Sequence, residues 1–306
     1  MGIFEKITSQ YKCRFDDLLA HRGETVVTAF SDKMYQGFCD HYSHANYLTY
    51  TEWLLRHYHA SKKLVLAALF FTQTEFLFTR KMRNLSLYAM YYSLFSAFSS
   101  NVILLPYMEL RSVRSASHTS LFSIISDHFI KYQIYDKSYI ELLNELRLGR
   151  EAYSYRLPLS GKFASGKENA LNLDFLFPKL SELLPIIFQT SELISYISYF
   201  AWNKRVGQIA DEYESFENES NDLFFSFLEI HDHLGKYCLI DDDDYYRQNY
   251  VIKNFKSPFP ISWIATSKIC EDLECNWDCN EDGSEFEHDF DINCVGAYIN
   301  NCIGVF

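Results

Sequence analysis

Residues 83–105 read RNLSLYAMYYSLFSAFSSNVILL, and this stretch decides the fold class. It begins a run of 25 residues without a charge between Arg83 and Glu109. At 1.5 Å per residue, a helix of that length would cross a bilayer of roughly 30 Å. Serine, asparagine and tyrosine side chains interrupt the run, however, and Pro106 closes it. Because serine hydroxyls bond back to helix carbonyls and small residues allow close packing, the run predicts a buried helix in a helical bundle.

Helical spacing of apolar residues continues on both sides of this stretch. Apolar positions that include Trp53, Leu64 and Leu77 predict a long helix over 49–78. The other predicted helices are 2–20, 84–105, 117–133, 138–155, 178–204 and 207–236. The fold class predicted from this pattern is mainly α.

Two segments of this helical region resemble motifs of a known family. Residues 91–98, YYSLFSAF, are similar to the YYAhFHAh stretch of a core helix in the HEPN superfamily. Residues 150–155, REAYSY, are similar to the RExADY end of the last helix in that family. The resemblance covers roughly residues 50 to 160 and implies an antiparallel helical bundle. Members of the family include ribonuclease toxins and nucleotide-binding accessory modules, so it also implies one of these activities.

The resemblance further implies a site at the end of the last helix of the bundle. Catalytic members carry an Arg followed four to six residues later by a His, and the pair holds a phosphate and moves a proton across a dimer cleft. Here the residues at that distance include Tyr153 and Tyr155, after Arg147 and Arg150, but no His. A tyrosine with a pKa of about 10 transfers protons poorly at pH 7. The candidate catalytic residues that the resemblance implies are therefore Arg150, Tyr155, Arg147 and Tyr153.

Three interpretations of these residues remain open. The simplest is that Arg150 and Glu151 form ion pairs while the tyrosines pack against the bundle. Alternatively, the arginines hold a phosphate or nucleotide without cleavage, or the site cleaves RNA. A second pair, Arg111 and His118, has the catalytic spacing but precedes a middle helix. Because Ser117 is a good N-cap residue for that helix, we expect His118 to be structural.

Length and composition predict several regions in the chain. At 306 residues it exceeds the usual size of a single domain. Aromatic residues make up 17% of it, so apolar material for a buried core is ample. We expect a linker at 161–169. The predicted regions are an N-terminal helical extension at 1–48, a HEPN-like helical bundle at 49–160, a helical hairpin packing on the bundle at 167–236, and an acidic, Cys-rich C-terminal region at 237–306.

Charge is distributed unevenly along the chain. Residues 1–170 carry 20 Lys and Arg against 15 Asp and Glu, whereas residues 171–306 carry 8 against 25, which together give the net charge of −12. The acidic part either solvates a polar surface, covers the basic part, mimics a polyanion or docks a basic partner. Four consecutive Asp at 241–244 and β-leaning runs at 250–252 and 261–264 predict an irregular or small α+β C-terminal region.

Cysteines near the C-terminus suggest a second kind of site. Cys270, Cys275, Cys279 and Cys294 are weak zinc candidates, because a tetrahedral site needs four such ligands but their spacing lacks the tight two-residue knuckle. We favour free thiols and expect no metal and no cofactor. The chain contains no Walker-type phosphate loop, dinucleotide fingerprint or nucleophile elbow, so those enzyme classes have no support in the sequence.

The beginning of the chain and the family resemblance set the remaining expectations. Residues 1–6 lack the apolar run of a signal peptide and a good myristoylation context, so we expect a cytoplasmic protein without a membrane anchor. The first functional class is a HEPN-like interaction or regulatory protein of a prokaryotic toxin-antitoxin or phage-defence system. It would bind a partner protein, a second copy of itself, or the phosphate of RNA or a nucleotide. The alternative is an RNA-cleaving HEPN effector with a divergent active site.

Overall fold

The described part of the chain is built from helices. The computed structural model describes residues 1–114, 116–155, 172–206, 261–271, 273 and 290–303, and these residues contain no strand. The α-helices are α1 (Ile3–Gln10), α2 (Asp16–Arg22), α3 (Glu24–Tyr42), α4 (Tyr47–Thr79), α5 (Arg83–Ile103), α6 (Leu110–Arg114), α7 (His118–Ile125), α8 (Lys137–Tyr155), α9 (Leu173–Val206), α10 (Ile261–Ile264) and α11 (Asn293–Ile303). Single π-helical segments extend α7 over Ser126–Ile130 and α10 over Ala265–Cys270. The mainly α fold class is confirmed for these residues.

Helix α5 is the central element, as the uncharged stretch predicts. Tyr91, Leu94 and Phe98 are fully buried, and Phe95 is partly buried against the same core. Ser93 donates a hydrogen bond of 2.8 Å from its Oγ to the carbonyl of Ala67 on α4. The small side chains at this contact allow α4 and α5 to come close. The prediction of a buried helix is therefore confirmed. Among the residues that the structure describes, no helix is long and apolar enough to cross a membrane.

Helices α4 and α5 form an antiparallel pair. A reciprocal capping box starts α4: Asn46 Oδ1 accepts from the Thr49 amide at 3.1 Å, and Thr49 Oγ1 accepts from the Asn46 amide at 3.3 Å. The helix then runs to Thr79, close to the predicted 49–78. The short connection to α5 turns at Lys81, whose φ is +60°. A connection this short between two long helices brings them back alongside each other.

Helix α8 lies against α5 through one apolar face. The residues on this face recur at helical spacing and are Tyr139, Leu142, Leu143, Leu146, Gly149 and Ala152. The predicted helix at 138–155 is thus confirmed with nearly the same bounds. The helix predicted at 117–133 is observed as α7 and its π-helical extension, which together end at Ile130. The end of α8, which carries the candidate residues, therefore reaches the first half of α5.

The C-terminal helix α11 is tied to the rest of the fold by one glutamine of α9. Gln189 accepts from the Leu18 amide at 2.9 Å and donates to the Cys302 carbonyl at 3.0 Å. Its Nε2 also donates to Asp17 Oδ2 at 2.7 Å. Because Gln189 is buried and links three helices, it fixes α2 and α11 at the same position on α9.

The strand-like run at 261–264 is helical, so the strand expected there is wrong. Ser262, in the first turn of α10, donates its amide to Glu192 Oε2 at 3.1 Å and its hydroxyl to Glu192 Oε1 at 2.7 Å. Ser61 Oγ donates to the Ile261 carbonyl at 3.2 Å. A short, mostly apolar run does not distinguish strand from helix, and here partners distant in sequence decide the outcome.

One further helix prediction also needs correction. The helix predicted at 2–20 is two helices, α1 and α2, separated by residues 11–15. Tyr11 takes an extended conformation, with φ −124° and ψ 138°, and its ring lies 4.7 Å from the ring of Tyr196. The chain is therefore extended at Tyr11, where the ring packs against α9, and the helix does not continue. The predictions at 161–169, 207–236, 241–244 and 250–252 lie outside the described residues.

Candidate functional site

The end of α8, the middle of α5 and the start of α7 meet around Tyr91. Arg150 comes from α8 and His118 from α7, and both side chains contact this buried tyrosine. The two residues are far apart in sequence, yet the bundle brings them to opposite parts of one phenol. The structure therefore combines Arg150, a predicted site residue, with His118, the histidine that the sequence analysis expected to be structural.

Arg150 lies flat against two aromatic rings of α5. Its Cζ is 4.7 Å from the ring centre of Tyr91 and 5.7 Å from that of Tyr92. Its Nη1 donates to the Tyr92 hydroxyl at 3.1 Å, and its Nε is buried without a hydrogen-bond partner among the described residues. The side chain is only 13% exposed. Stacking on aromatic faces fixes the guanidinium plane while leaving donors for a further acceptor.

Arg147 is engaged differently from Arg150, although the two are one turn apart. Its Nη1 is 2.9 Å from Glu151 Oε1, and its Nη2 donates to Asn144 Oδ1 at 3.0 Å. The same carboxylate oxygen of Glu151 lies 3.8 Å from Arg150 Nη2. Glu151 therefore compensates mainly the charge of Arg147, and the local balance of these three side chains is one positive charge.

His118 is the first residue of α7, and Ser117 is the N-cap of that helix. The Ser117 hydroxyl accepts from the Ser120 amide at 3.2 Å, which confirms the predicted N-cap. The imidazole packs edge-on against Phe95, with ring centres 5.1 Å apart, and its Nδ1 hydrogen-bonds to the Tyr91 hydroxyl. Burial, followed by the charges of Arg150 and Arg147, lowers the pKa of His118, so the ring is neutral at pH 7.

Tyr91 is a protonated phenol in this environment. Burial raises the pKa of Tyr91 to about 12, although the charge of Arg150 opposes that change. Its ring is buried between Arg150 and Phe95, whose ring centre is 5.8 Å away. At neutral pH the cluster thus consists of a fixed guanidinium, a neutral imidazole and a neutral phenol. The guanidinium and the imidazole of this set can donate hydrogen bonds to an anion.

The two predicted tyrosines lie elsewhere on α8. Tyr155, the last residue of the helix, is 81% exposed, whereas Tyr153 is half-buried against the core. The neighbouring Ser154 bonds to the Tyr88 hydroxyl of α5. Of the four predicted catalytic residues, the structure thus brings Arg147 and Arg150 to the cluster, while Tyr91 takes the phenol position next to Arg150.

The cysteine candidates are only partly within the described residues. Cys270 is buried in the π-helical segment after α10, and Cys294 is half-buried on α11, where burial raises the pKa of its thiol. Cys275 and Cys279 lie outside the described residues. Within the part of the chain that the structure describes, no three His, Cys, Asp or Glu side chains form a group able to hold a metal ion. A zinc site that includes Cys275 and Cys279 stays a weak prediction.

Sequence reasoning named His118 but assigned it a structural role, because its place beside Tyr91 and Arg150 depends on tertiary packing. The local pattern identifies a good N-cap and the first residue of a helix, and nothing in it points to α8. The sequence offers one signal for this contact. The Tyr-rich stretch of α5 is expected to face the end of α8, so a side chain of a neighbouring helix can lie next to both. Comparison with known proteins adds no further residue, because the chain matches no protein-family model, no curated protein and no solved structure.

Proposed function

We propose that the chain is a HEPN-like interaction or regulatory protein that binds a phosphate of RNA or a nucleotide through Arg150 without cleaving it. The observation that carries this proposal is the packing of Arg150 against Tyr91 and Tyr92. The guanidinium is nearly buried and fixed in position, yet has only one close hydrogen bond to the described residues. A planar guanidinium with several unused donors is suited to the oxygens of a phosphate.

The charge balance of the cluster supports an anionic ligand. Glu151 sits at 2.9 Å from Arg147 but at 3.8 Å from Arg150, so among the described residues the charge of Arg150 is compensated less closely than that of Arg147. A poorly solvated cation gains free energy when an anion reaches it. His118, neutral and half-buried beside the Tyr91 hydroxyl, adds an uncharged N–H donor that can bond to an anion.

The family resemblance supports the wider biological role. Residues 91–98 and 150–155 carry the matching motifs, and they lie on the two helices that form the cluster. HEPN-like proteins that lack the catalytic spacing would retain a phosphate-contacting surface and act through a partner protein or a second copy. We therefore propose a regulatory component of a prokaryotic toxin-antitoxin or phage-defence system, with the acidic residues 171–306 available for a basic partner.

Binding of single-stranded RNA tests the proposal directly. Fluorescence anisotropy of the full chain with an end-labelled RNA is expected to show that Arg150→Ala weakens binding about 10- to 100-fold, since a charge-assisted hydrogen bond contributes about 1.5–3 kcal/mol. Arg150→Lys keeps the charge but loses the fork, so we expect an intermediate loss.

Arg83→Ala is the matched control because it removes the same charge from a 67% exposed side chain of α5. We expect it to change RNA affinity less than about threefold. Equal losses from Arg83→Ala and Arg150→Ala would indicate unspecific attraction to a basic surface and would contradict the proposed site. Circular dichroism of each variant confirms that the helical content is unchanged.

RNA cleavage is the second candidate function, and one observation favours it. Arg150 and His118 contact the same tyrosine, so the cluster contains the Arg and His types that acid–base cleavage of RNA uses. In that case His118 would exchange a proton while Arg150 held the phosphate. Incubation of the purified chain with RNA in the absence of metal distinguishes the two candidates.

A further inference from the structure

The hydrogen bond between Tyr91 and His118 restricts the proton positions on both groups. Tyr91 is fully buried, and the described residues offer its hydroxyl one hydrogen-bonding side chain, that of His118. The hydroxyl bonds to Nδ1, while Nε2 is 3.4 Å away. A buried O–H without an acceptor costs about 1–3 kcal/mol, so the phenol donates and Nδ1 accepts.

A nitrogen that accepts a hydrogen bond cannot carry the proton of the neutral ring. The single proton of His118 is therefore on Nε2. In this tautomer the imidazole presents a donor beyond Tyr91, whereas a general base needs a bare nitrogen at that position. The direction of the Tyr91 hydrogen bond thus separates a residue that binds an anion from one that removes a proton.

We propose that Tyr91 is a positioning residue that holds His118 as the Nε2–H tautomer, so that the imidazole donates to a bound phosphate and does not act as a base. The tautomer follows from the hydrogen bond alone, while the phosphate contact rests on the proposed function. Tyr91 would accordingly be the residue that separates binding from cleavage at this site.

The charged groups around the imidazole favour the same state. Arg150 and Arg147, from α8, both disfavour a second proton on His118, and Glu151 opposes them. From α5, Phe95 contributes an apolar ring and Tyr91 the hydroxyl donor. Because a hydrogen bond to the neutral ring further disfavours protonation, loss of the Tyr91 hydroxyl should make His118 easier to protonate.

Nitrogen-15 NMR of the histidine side chains tests this inference on the full chain. The chain has 10 histidines, and His118→Gln assigns the relevant signals by their loss. The wild type is expected to show a protonated Nε2 and a bare Nδ1 between pH 6 and 8. In Tyr91→Phe, we expect mixed tautomers and a titration midpoint shifted upward towards about 6.5.

Tyr88→Phe is the matched control, because it removes a phenol of the same helix that bonds to Ser154 instead. It should leave the His118 signals unchanged. A wild-type His118 with its proton on Nδ1 overturns the inference, and this result does not depend on whether Tyr91→Phe folds. An unchanged tautomer and midpoint in a folded Tyr91→Phe variant also overturns it.

The phosphate contact has a separate readout. When the RNA used for anisotropy is added, the Nε2 signal of wild-type His118 is expected to move without a change of tautomer. If the RNA binds but this signal stays fixed, the donor role is wrong, whereas the tautomer assignment stands. If Arg150→Ala leaves RNA affinity unchanged, the proposed function fails, and the NMR spectra without RNA still decide the role of Tyr91.

Discussion

Two arginines, on two helices that both pack against α5, show how differently one residue type is used in this molecule. Arg56 of α4 is fully buried and donates from Nη1 to the carbonyls of Ile103 at 2.8 Å and Leu105 at 3.0 Å. Its Nε donates to Glu52 at 2.8 Å, and its Nη2 bonds to Glu52 and to the Met108 carbonyl. Within the described part of the chain, Arg150 has a single close hydrogen bond, to Tyr92.

The difference indicates where function is to be sought. All five donors of Arg56 are occupied by groups of the protein, so this side chain closes the C-terminal end of α5 and has no capacity for a ligand. Arg150 is held mainly by the faces of Tyr91 and Tyr92, and most of its donors have no partner among the residues that the structure describes. Burial alone does not separate a structural arginine from a binding one, whereas the number of satisfied donors does.

The largest effect is expected from Arg56→Ala. The change leaves the buried carbonyls of Ile103 and Leu105 without a donor and Glu52 without its cation, so it should lower the free energy of unfolding by about 3–5 kcal/mol. Urea denaturation measures this loss. The exposed Arg83→Ala should change stability by no more than about 0.5 kcal/mol, and a similarly small loss for Arg56→Ala would remove the contrast drawn here.

The next effect concerns two buried titratable groups of the core that act in opposite directions. Burial lowers the pKa of His57 to about 4, so its contribution to stability is lost as pH falls from 6.5 towards 4. Burial raises the pKa of Glu192 to about 7, so its contribution is lost as pH rises from 4.5 towards 7. Each contribution amounts to about 3 kcal/mol, since one pKa unit corresponds to 1.36 kcal/mol.

Single substitutions should expose the two opposing slopes. In Glu192→Gln, stability measured by urea denaturation should fall by about 3 kcal/mol as pH is lowered from 6.5 to 4. In His57→Phe, it should instead fall as pH rises from 4.5 to 7. Other histidines with lowered pKa values add to the loss of stability as pH falls, and these are His21, His41, His118 and His128. Identical pH profiles for the two variants would contradict the assigned burial of these groups.

A smaller effect is expected at the helix start that presents His118. Ser117→Ala removes the hydroxyl that accepts from the Ser120 amide, so it should cost about 1 kcal/mol of stability. Thr119→Ala, in the same exposed turn but outside the cap, should cost clearly less. Thermal unfolding of both variants checks the difference. If Thr119→Ala is equally costly, helix propensity rather than the cap determines the effect.

The helical framework around the site follows from local sequence. The uncharged, Ser-rich stretch identifies α5, and the spacing of leucines identifies α8 to within one residue at its start. The Ser117 cap is also predictable, because an N-cap depends on a serine and the next three residues. These features share one property: each is determined by residues less than two helical turns apart.

The features that sequence did not predict all depend on distant residues. Helix α10 starts where Glu192 accepts from Ser262, 70 positions away. His118 joins the cluster through Tyr91, 27 positions away, although its own surroundings in sequence suggest only a helix start. The Arg–His spacing rule pairs His118 with Arg111, which is near it in sequence, whereas the bundle places His118 and Arg150 from two different helices on the same tyrosine.

Cleavage of RNA by the purified wild-type chain, in the presence of a metal chelator, tests the central claim most directly. The account predicts no measurable cleavage at pH 7 by the wild type or by Arg150→Ala, while Arg150→Ala lowers RNA affinity. This follows because Tyr91 occupies Nδ1 of His118, which leaves no bare nitrogen to accept a proton, and because burial raises the pKa of Tyr91 to about 12, so the phenol does not release its own proton near pH 7. Metal-independent cleavage by the wild type that Arg150→Ala abolishes would contradict it.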